Sequence, residues 1–257
     1  MNRMVLGKKR IAGAMAVCAM VLVQGCATQS GTASAKVKKM DTADFYTDGV
    51  MDVAKVKQAY FNMMNRFNYP IPDILKGDDF WVCDFVQGDI LALGMGGIFW
   101  INEKGVYKTS GAGKYTGPFK DQKFGYLLHD IYLLPGQTLP EHHHMGGPEG
   151  YAPKMESWQV KYGEAYFYGQ YKHGDEVLIS EWPEAQRPWG YGEDWFKSKY
   201  IAKRDAKTNQ MYSLRDPEAW HGMVAGPEGT IVTEVATYHN DVKFSKPGME
   251  FKNTGAK

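Results

Sequence analysis

A β-barrel or β-sandwich carrying one N-terminal helix is the fold class this sequence predicts, and three observations lead to it. From Phe80 onward the apolar residues fall into nine short runs of strand length, separated by Gly, Pro, Asn and Asp. One earlier stretch has the period of a helix instead. The 257 residues also include 12 Phe, 16 Tyr and 7 Trp, far more buriable aromatic surface than a disordered chain carries. Thirty basic against 29 acidic side chains leave a formal charge of +1, without the basic footprint that nucleic-acid binding requires.

Taken in order, residues 1–25 have the layout of a secretory signal. Arg3, Lys8, Lys9 and Arg10 precede an uncharged apolar run at 11–23, shorter than the roughly 20 residues that span a bilayer. The run ends in Leu22-Val23-Gln24-Gly25-Cys26, which resembles a bacterial lipobox. Cleavage before Cys26 and lipidation of that cysteine are therefore expected. The product would be an exported bacterial lipoprotein, anchored on the periplasmic side or at the cell surface. Processing leaves 26 basic and 29 acidic groups and two cysteines, Cys26 and Cys83. With Cys26 lipidated, Cys83 lacks a partner and no disulfide framework is expected. Residues 26–40, poor in large apolar side chains, read as a flexible tether to a single domain at 41–257.

Within that domain, Val50, Val53, Tyr60, Met64 and Phe67 recur at helical spacing, so residues 50–67 are predicted helical. Asp48 is the candidate N-cap, and Pro70 and Pro72 stop the helix. The predicted strands are 80–86, 90–95, 98–102, 126–134, 158–162, 165–171, 177–181, 220–225 and 231–238. Two long stretches, 104–123 and 183–208, read as irregular insertions.

The chemistry concentrates in Pro135-Gly136-Gln137-Thr138-Leu139-Pro140-Glu141-His142-His143-His144. Successive side chains of an extended strand alternate in direction, so His142 and His144 share a face and His143 points away. Two imidazoles so placed form a chelating pair for a divalent metal. Farther on come Lys154-Met155-Glu156, six residues before Gly163, and the isolated His221. Glu149 competes with Glu156 as a ligand but lacks the six-residue step to a glycine. His129, His173 and His239 have no comparable context and read as structural or exposed.

Gly136-x5-His142-x-His144 followed by Glu156-x6-Gly163 resembles the first motif of the cupins, and His221 falls where their second motif supplies a histidine. Residues 50–251 resemble more closely the D-lyxose ketol-isomerase family of cupin sugar isomerases. The likeness rests on Phe67-Asn68-Tyr69-Pro70, Trp81-x-x-Asp84-Phe85-x-x-Gly88, the run into His142-x-His144, Lys154-Met155-Glu156, and Glu234-Val235-x4-Asn240-Asp241. It departs from the family pattern at 145–153, an insertion expected to reshape the cleft.

The resemblance implies an all-β, double-stranded β-helix (jelly-roll) barrel with an N-terminal helix. It implies His142, His144, Glu156 and His221 as metal ligands, with Lys154 and Glu234 facing a sugar. The metal it implies is a divalent transition metal, Mn by family likeness, while the ligand types also suit Zn, Fe, Co or Ni. The expected reaction is aldose–ketose isomerisation through an enediol, with Glu234 as the base and Lys154 steadying a negative oxygen. Burial is expected to bring the Glu234 pKa near working pH. Trp158, Tyr166, Tyr168 and Trp220 either stack on the sugar or fill the core. Alternative readings on the same fold are a non-catalytic saccharide- or metal-binding lipoprotein, a dioxygenase, or a sugar-acid lyase. The expected partners are a small sugar and, through the anchor, a membrane; a homodimer is compatible with this reading.

Overall fold

A computed structural model describes residues 40–104, 125–146, 152–239 and 241–252. The signal segment, Cys26, residues 26–39 of the tether, Glu149 and Asn240 lie outside the described residues.

Helix α1 (Val53–Arg66) buries Val56, Ala59, Tyr60, Met63 and Met64, a stripe with three- and four-residue steps that faces the sheet. Its N-cap is Asp52, whose carboxylate accepts from the Lys55 N–H at 3.1 Å, and not Asp48. Asp48 has φ 50° in the turn between the short strands β1 (Tyr46–Thr47) and β2 (Val50–Met51). Val50, counted in the helical pattern, is therefore an exposed hairpin residue. The helix ends ahead of Asn68, whose φ of 53° is a left-handed conformation that Asn tolerates.

A single turn, α2 (Asp73–Lys76), leads to the main sheet. Its strands are β3 (Trp81–Cys83), β4 (Met95–Glu103), β5 (Tyr126–Leu133), β6 (Thr138–His143), β7 (Glu156–Gly169), β8 (Val177–Leu178), β9 (Tyr200–Asp205), β10 (Met211–Ser213), β11 (His221–Ala236) and β12 (Lys243–Phe244). All ladders are antiparallel, in the order β3-β4-β5-β11-β7-β9-β8. β6 pairs with β11 and β12, and β10 with β7. The β-rich architecture with its opening helix agrees with the sequence prediction.

Several boundaries differ. The strand expected at 80–86 stops at Cys83, because Phe85 and Val86 take φ of 54° and 60°. Residues 90–94 form turns, with Leu93 making one isolated bridge to Thr138. The runs at 158–162 and 165–171 belong to one strand, β7, and those at 220–225 and 231–238 to another, β11. β9 crosses the stretch expected to be irregular at 183–208. Among the described residues of the fused strands, Gly163 and Gly229 explain how a glycine interrupts the pattern without ending the strand. They have φ of 72° and 85°, and a Cβ on Gly163 would lie 2.2 Å from the Gly229 carbonyl oxygen. Both strands thus bend together where their backbones nearly touch.

Two hydrophobic layers form on opposite faces of the sheet, and the period-2 alternation assigns each residue. Ile131 and Leu133 point into the interior with Trp158, Phe167, Met223 and Val232. Tyr132 and Leu134 point to the helix side with Tyr60, Met63, Phe80 and Ile231. Gln137 ties helix α1 to the end of β5 and to the turn at Ile90, all within the helix-side layer. Its Oε1 accepts from Tyr60 Oη and from the Leu134 N–H, both at 2.8 Å, and its Nε2 donates to the Ile90 carbonyl. Cys83 is a free thiol in the interior layer, its pKa pushed up to about 11 by burial.

Candidate metal centre

Sheet register places the candidate residues. On β11, His221 is paired with His142 of β6, while Glu234 is paired with His129 of β5 and with Trp158 of β7, and Ala236 with Glu156. His221 and Glu234 are 13 positions apart, an odd step that would put them on opposite faces of a regular strand. The register shift between Ala225 and Thr230 changes the parity, so that both turn toward Glu156 and Lys154.

The three imidazoles converge. Ring nitrogens of His142, His144 and His221 lie within 4.8 Å of one another, and all three residues are buried. Each Nδ1 faces a main-chain carbonyl: Pro140 at 2.8 Å, Asp241 at 2.6 Å and Ala219 at 2.9 Å. A carbonyl only accepts, so each Nδ1 carries the proton and each Nε2 keeps its lone pair. Carbonyl acceptors of this kind orient metal-binding histidines. Burial pushes the His142 pKa down to about 3, with His221 adding to the effect; burial, then the Lys154 ammonium, hold His144 well below the usual histidine range.

Glu156 completes the cluster. Its Oε1 lies 3.3 Å from His144 Nε2 and 3.1 Å from His221 Nε2, and none of these three buried atoms has a hydrogen-bond partner. Lone pairs facing one another in a dry interior are unfavourable unless a cation bridges them. Charge points the same way, because the carboxylates of Glu156 and Glu234 share the single ammonium of Lys154. The donor set fits a divalent transition metal, and these four residues would hold it.

Lys154 donates to Glu156 Oε2 at 2.8 Å and to Glu234 Oε1. Burial disfavours its charge, but the two carboxylates outweigh burial and hold its pKa above the ordinary lysine range. Burial would raise the Glu156 carboxyl, yet Lys154 keeps it well below the usual carboxylate range. Glu234 is likewise lowered against burial by Lys154 and by a 3.0 Å hydrogen bond from His129 Nδ1 to its Oε2. Its pKa therefore moves away from neutrality, contrary to the sequence expectation.

Beside these groups lies a narrow cavity of about 40 Å³, walled on its other sides by apolar side chains such as Phe99, Ile131, Leu139 and Phe244. Trp158 lines it; Tyr166 and Tyr168 instead pack in a third cluster with Ile201, and Trp220 stacks on His143 outside, with ring centres 3.8 Å apart. His143 Nδ1 donates to the Glu218 carbonyl at 3.1 Å, away from the cluster. His129 and His239, read from sequence as structural or exposed, both line the cavity. For His129 the signal was register, which no spacing along the chain reveals, since it faces Glu234 across the β5–β11 ladder, while His239 is placed by the loop after β11.

The β-rich architecture is shared with solved L-ribose isomerases. No family model matches the chain. A D-lyxose/D-mannose isomerase of Thermosediminibacter oceani is 24% identical over 193 residues, covering 74% of this chain and 87% of that protein. Among solved structures, the L-ribose isomerase of Acinetobacter sp. DL28 in complex with L-ribose aligns with a TM-score of 0.54 at 19% identity, covering 78% of this chain and 92% of that one. The Cellulomonas parahominis L-ribose isomerase with L-ribose gives 0.54 at 18%, with coverages of 76% and 91%.

Proposed function

We propose that the chain is a divalent-metal-dependent aldose–ketose isomerase acting on a small sugar. One observation carries this reading: Lys154 joins a metal-binding carboxylate, Glu156, to a second buried carboxylate, Glu234, that has no part in the histidine cluster. A protein that only bound metal or saccharide would gain nothing from a buried acid–base pair beside its ligands. The similarity to a D-lyxose/D-mannose isomerase and to the L-ribose isomerase fold supports an aldose as substrate.

A bound divalent cation would supply Lewis-acid polarisation of the sugar oxygens. The chain's own residues do the rest. Glu234, ionised because Lys154 and His129 lower its pKa, takes the proton from C2 of the aldose and returns it to C1. The O2 hydroxyl proton passes to O1, so the reaction balances without oxidant or reductant. Lys154 turns from Glu234 Oε1 to the sugar oxygen that gains negative charge, which frees that carboxylate oxygen for the proton. His129, bonded to Oε2, holds the carboxylate in place meanwhile. The intermediate of this route is an enediol.

The test is metal analysis of the purified protein, then an aldose–ketose panel that includes D-lyxose, D-mannose and L-ribose with that metal. Metal retention without turnover of any sugar would favour the binding-protein alternative. Location belongs to the same proposal: residues 1–25 are removed and Cys26 carries the lipid, which mass spectrometry of the membrane-extracted N-terminus would reveal.

A further inference from the structure

His239 is held unlike the other polar side chains of the cavity. His129 is bonded to Glu234, His142 and His144 are bonded to carbonyls, and Lys154 to its two carboxylates. The His239 ring has only ring contacts among the described residues, with centres 5.1 Å from His144, 5.9 Å from Phe99 and 6.0 Å from Phe251. Its position is fixed through the backbone, whose N–H donates to Asn102 Oδ1 at 3.1 Å. Either neutral tautomer of the ring offers one N–H and one lone pair to a ligand.

Placement adds to this. His239 lines both the cavity and the shallow groove outside it, whose other walls include Lys243, Lys246, Met249 and Glu250, and so stands where the two meet. Its cavity neighbours Phe99, Val242, Phe244 and Phe251 can cover a sugar face but cannot tell one hydroxyl configuration from another. Hydrogen bonds to a hydroxyl discriminate strongly, because the analogue lacking it leaves a buried polar group unpaired.

We propose that His239 is a substrate-positioning residue that accepts from and donates to hydroxyls of the bound sugar at the open end of the cavity, and thereby selects among sugar configurations. The inference takes its ligand class from the isomerase reading and names the residue that sets specificity within it.

The experiment uses the full chain loaded with metal and three non-isomerisable pentitols, ribitol, xylitol and D-arabinitol. Calorimetric Kd values are compared for wild type, His239→Ala, His239→Phe and His239→Gln, with metal content measured for each. His239→Ala and His239→Phe are expected to raise the Kd of the best-bound pentitol, and the KM of the corresponding aldose, about tenfold, or about 1.4 kcal/mol. They should also narrow the differences among the three pentitols while kcat changes far less. His239→Gln, which keeps a donor and an acceptor, should recover most of the affinity. Because His239→Phe retains a packed ring, a loss shared with His239→Ala and reversed by Gln separates hydrogen bonding from folding. Unchanged Kd values and ranking in both variants would overturn the inference, as would wild type that binds none of the pentitols. Pentitol binding that depends on His239 in a protein that converts no aldose would overturn the isomerase reading instead and leave this inference standing.

Discussion

Lys154 Nζ donates a 2.8 Å hydrogen bond to Glu156 Oε2 while the other oxygen of that carboxylate faces His144 and His221. The two residues are two positions apart as the chain enters β7, so an extended backbone puts both side chains on one side. Glu156 therefore links the histidine cluster to the ammonium that also holds Glu234. Substitutions on either side of this link should separate metal binding from turnover.

Glu234→Gln is expected to abolish isomerisation, by about two orders of magnitude or more, while metal content stays at the wild-type level. Lys154→Met should be the more destabilising change. It leaves two buried carboxylates without their shared counter-charge, and breaking a buried pair from one side costs about 3–5 kcal/mol. Urea unfolding of the two single variants and the double variant measures this. The double variant should be more stable than Lys154→Met alone; additive losses would show that Lys154 does not depend on Glu234 for its place.

For the proposed ligands, His142→Ala, His144→Ala and His221→Ala should each lower bound metal at least tenfold, and turnover with it. His143→Ala, which loses only the Trp220 stack and one carbonyl contact, should retain both. Elemental analysis after gel filtration gives the answer, and full occupancy in a His142/His144 double variant would exclude the cluster as the metal site.

How far the site could be read from sequence follows from the range of each signal. His142 and His144 need only the local period of a strand, and Lys154 with Glu156 follows the same rule two residues at a time. His129 and His239 have no local mark. Their cavity positions arise from strand pairing and from the loop after β11: His129 meets Glu234 from 105 residues away, and His239 packs against His144 from far along the chain. The fold shows the same division. The β-rich class was visible in the spacing of apolar runs, but the unity of β7 and of β11 was hidden. Gly163 and Gly229 look like strand ends until their mutual approach is known. The run at 90–95 misled for a different reason: Ile90 and Leu93 are buried from within turns, and apolar content alone does not distinguish that from a strand.

The Gln137 junction predicts a stability effect at a distance from the chemistry. Tyr60→Phe removes one donor to a buried amide and should cost about 1–2 kcal/mol. Gln137→Leu leaves the Leu134 N–H, the Ile90 carbonyl and the Tyr60 hydroxyl without their partner, and should cost more than Tyr60→Phe. Denaturant midpoints at pH 7 test both, and metal content should be unaffected in the folded fraction. Equal costs would mean that water replaces Gln137 at this junction.

Acid should destabilise the metal-free protein well before its carboxylates titrate as a class. The His142 pKa is about 3 in the folded chain, against roughly 6.5 for a histidine in an unfolded one. A depressed folded pKa gives a contribution that is complete above the unfolded value and is lost as pH falls toward the folded one, because the unfolded chain takes up the proton first. Between pH 7 and pH 5 this amounts to about 2 kcal/mol for His142 alone. His144, also shifted down, and Glu156, held below the usual carboxylate range, act in the same direction, the latter at lower pH. Urea midpoints at pH 7, 6 and 5 should therefore fall steadily, and His142→Gln should flatten the slope by up to one proton. In the presence of metal the slope should steepen, since protons then compete with the ion for the same Nε2 lone pairs. Midpoints that stay level from pH 7 to pH 5 in the metal-free protein would mean that His142 is protonated as readily in the folded chain as in the unfolded one, and that its ring is not held dry against His221.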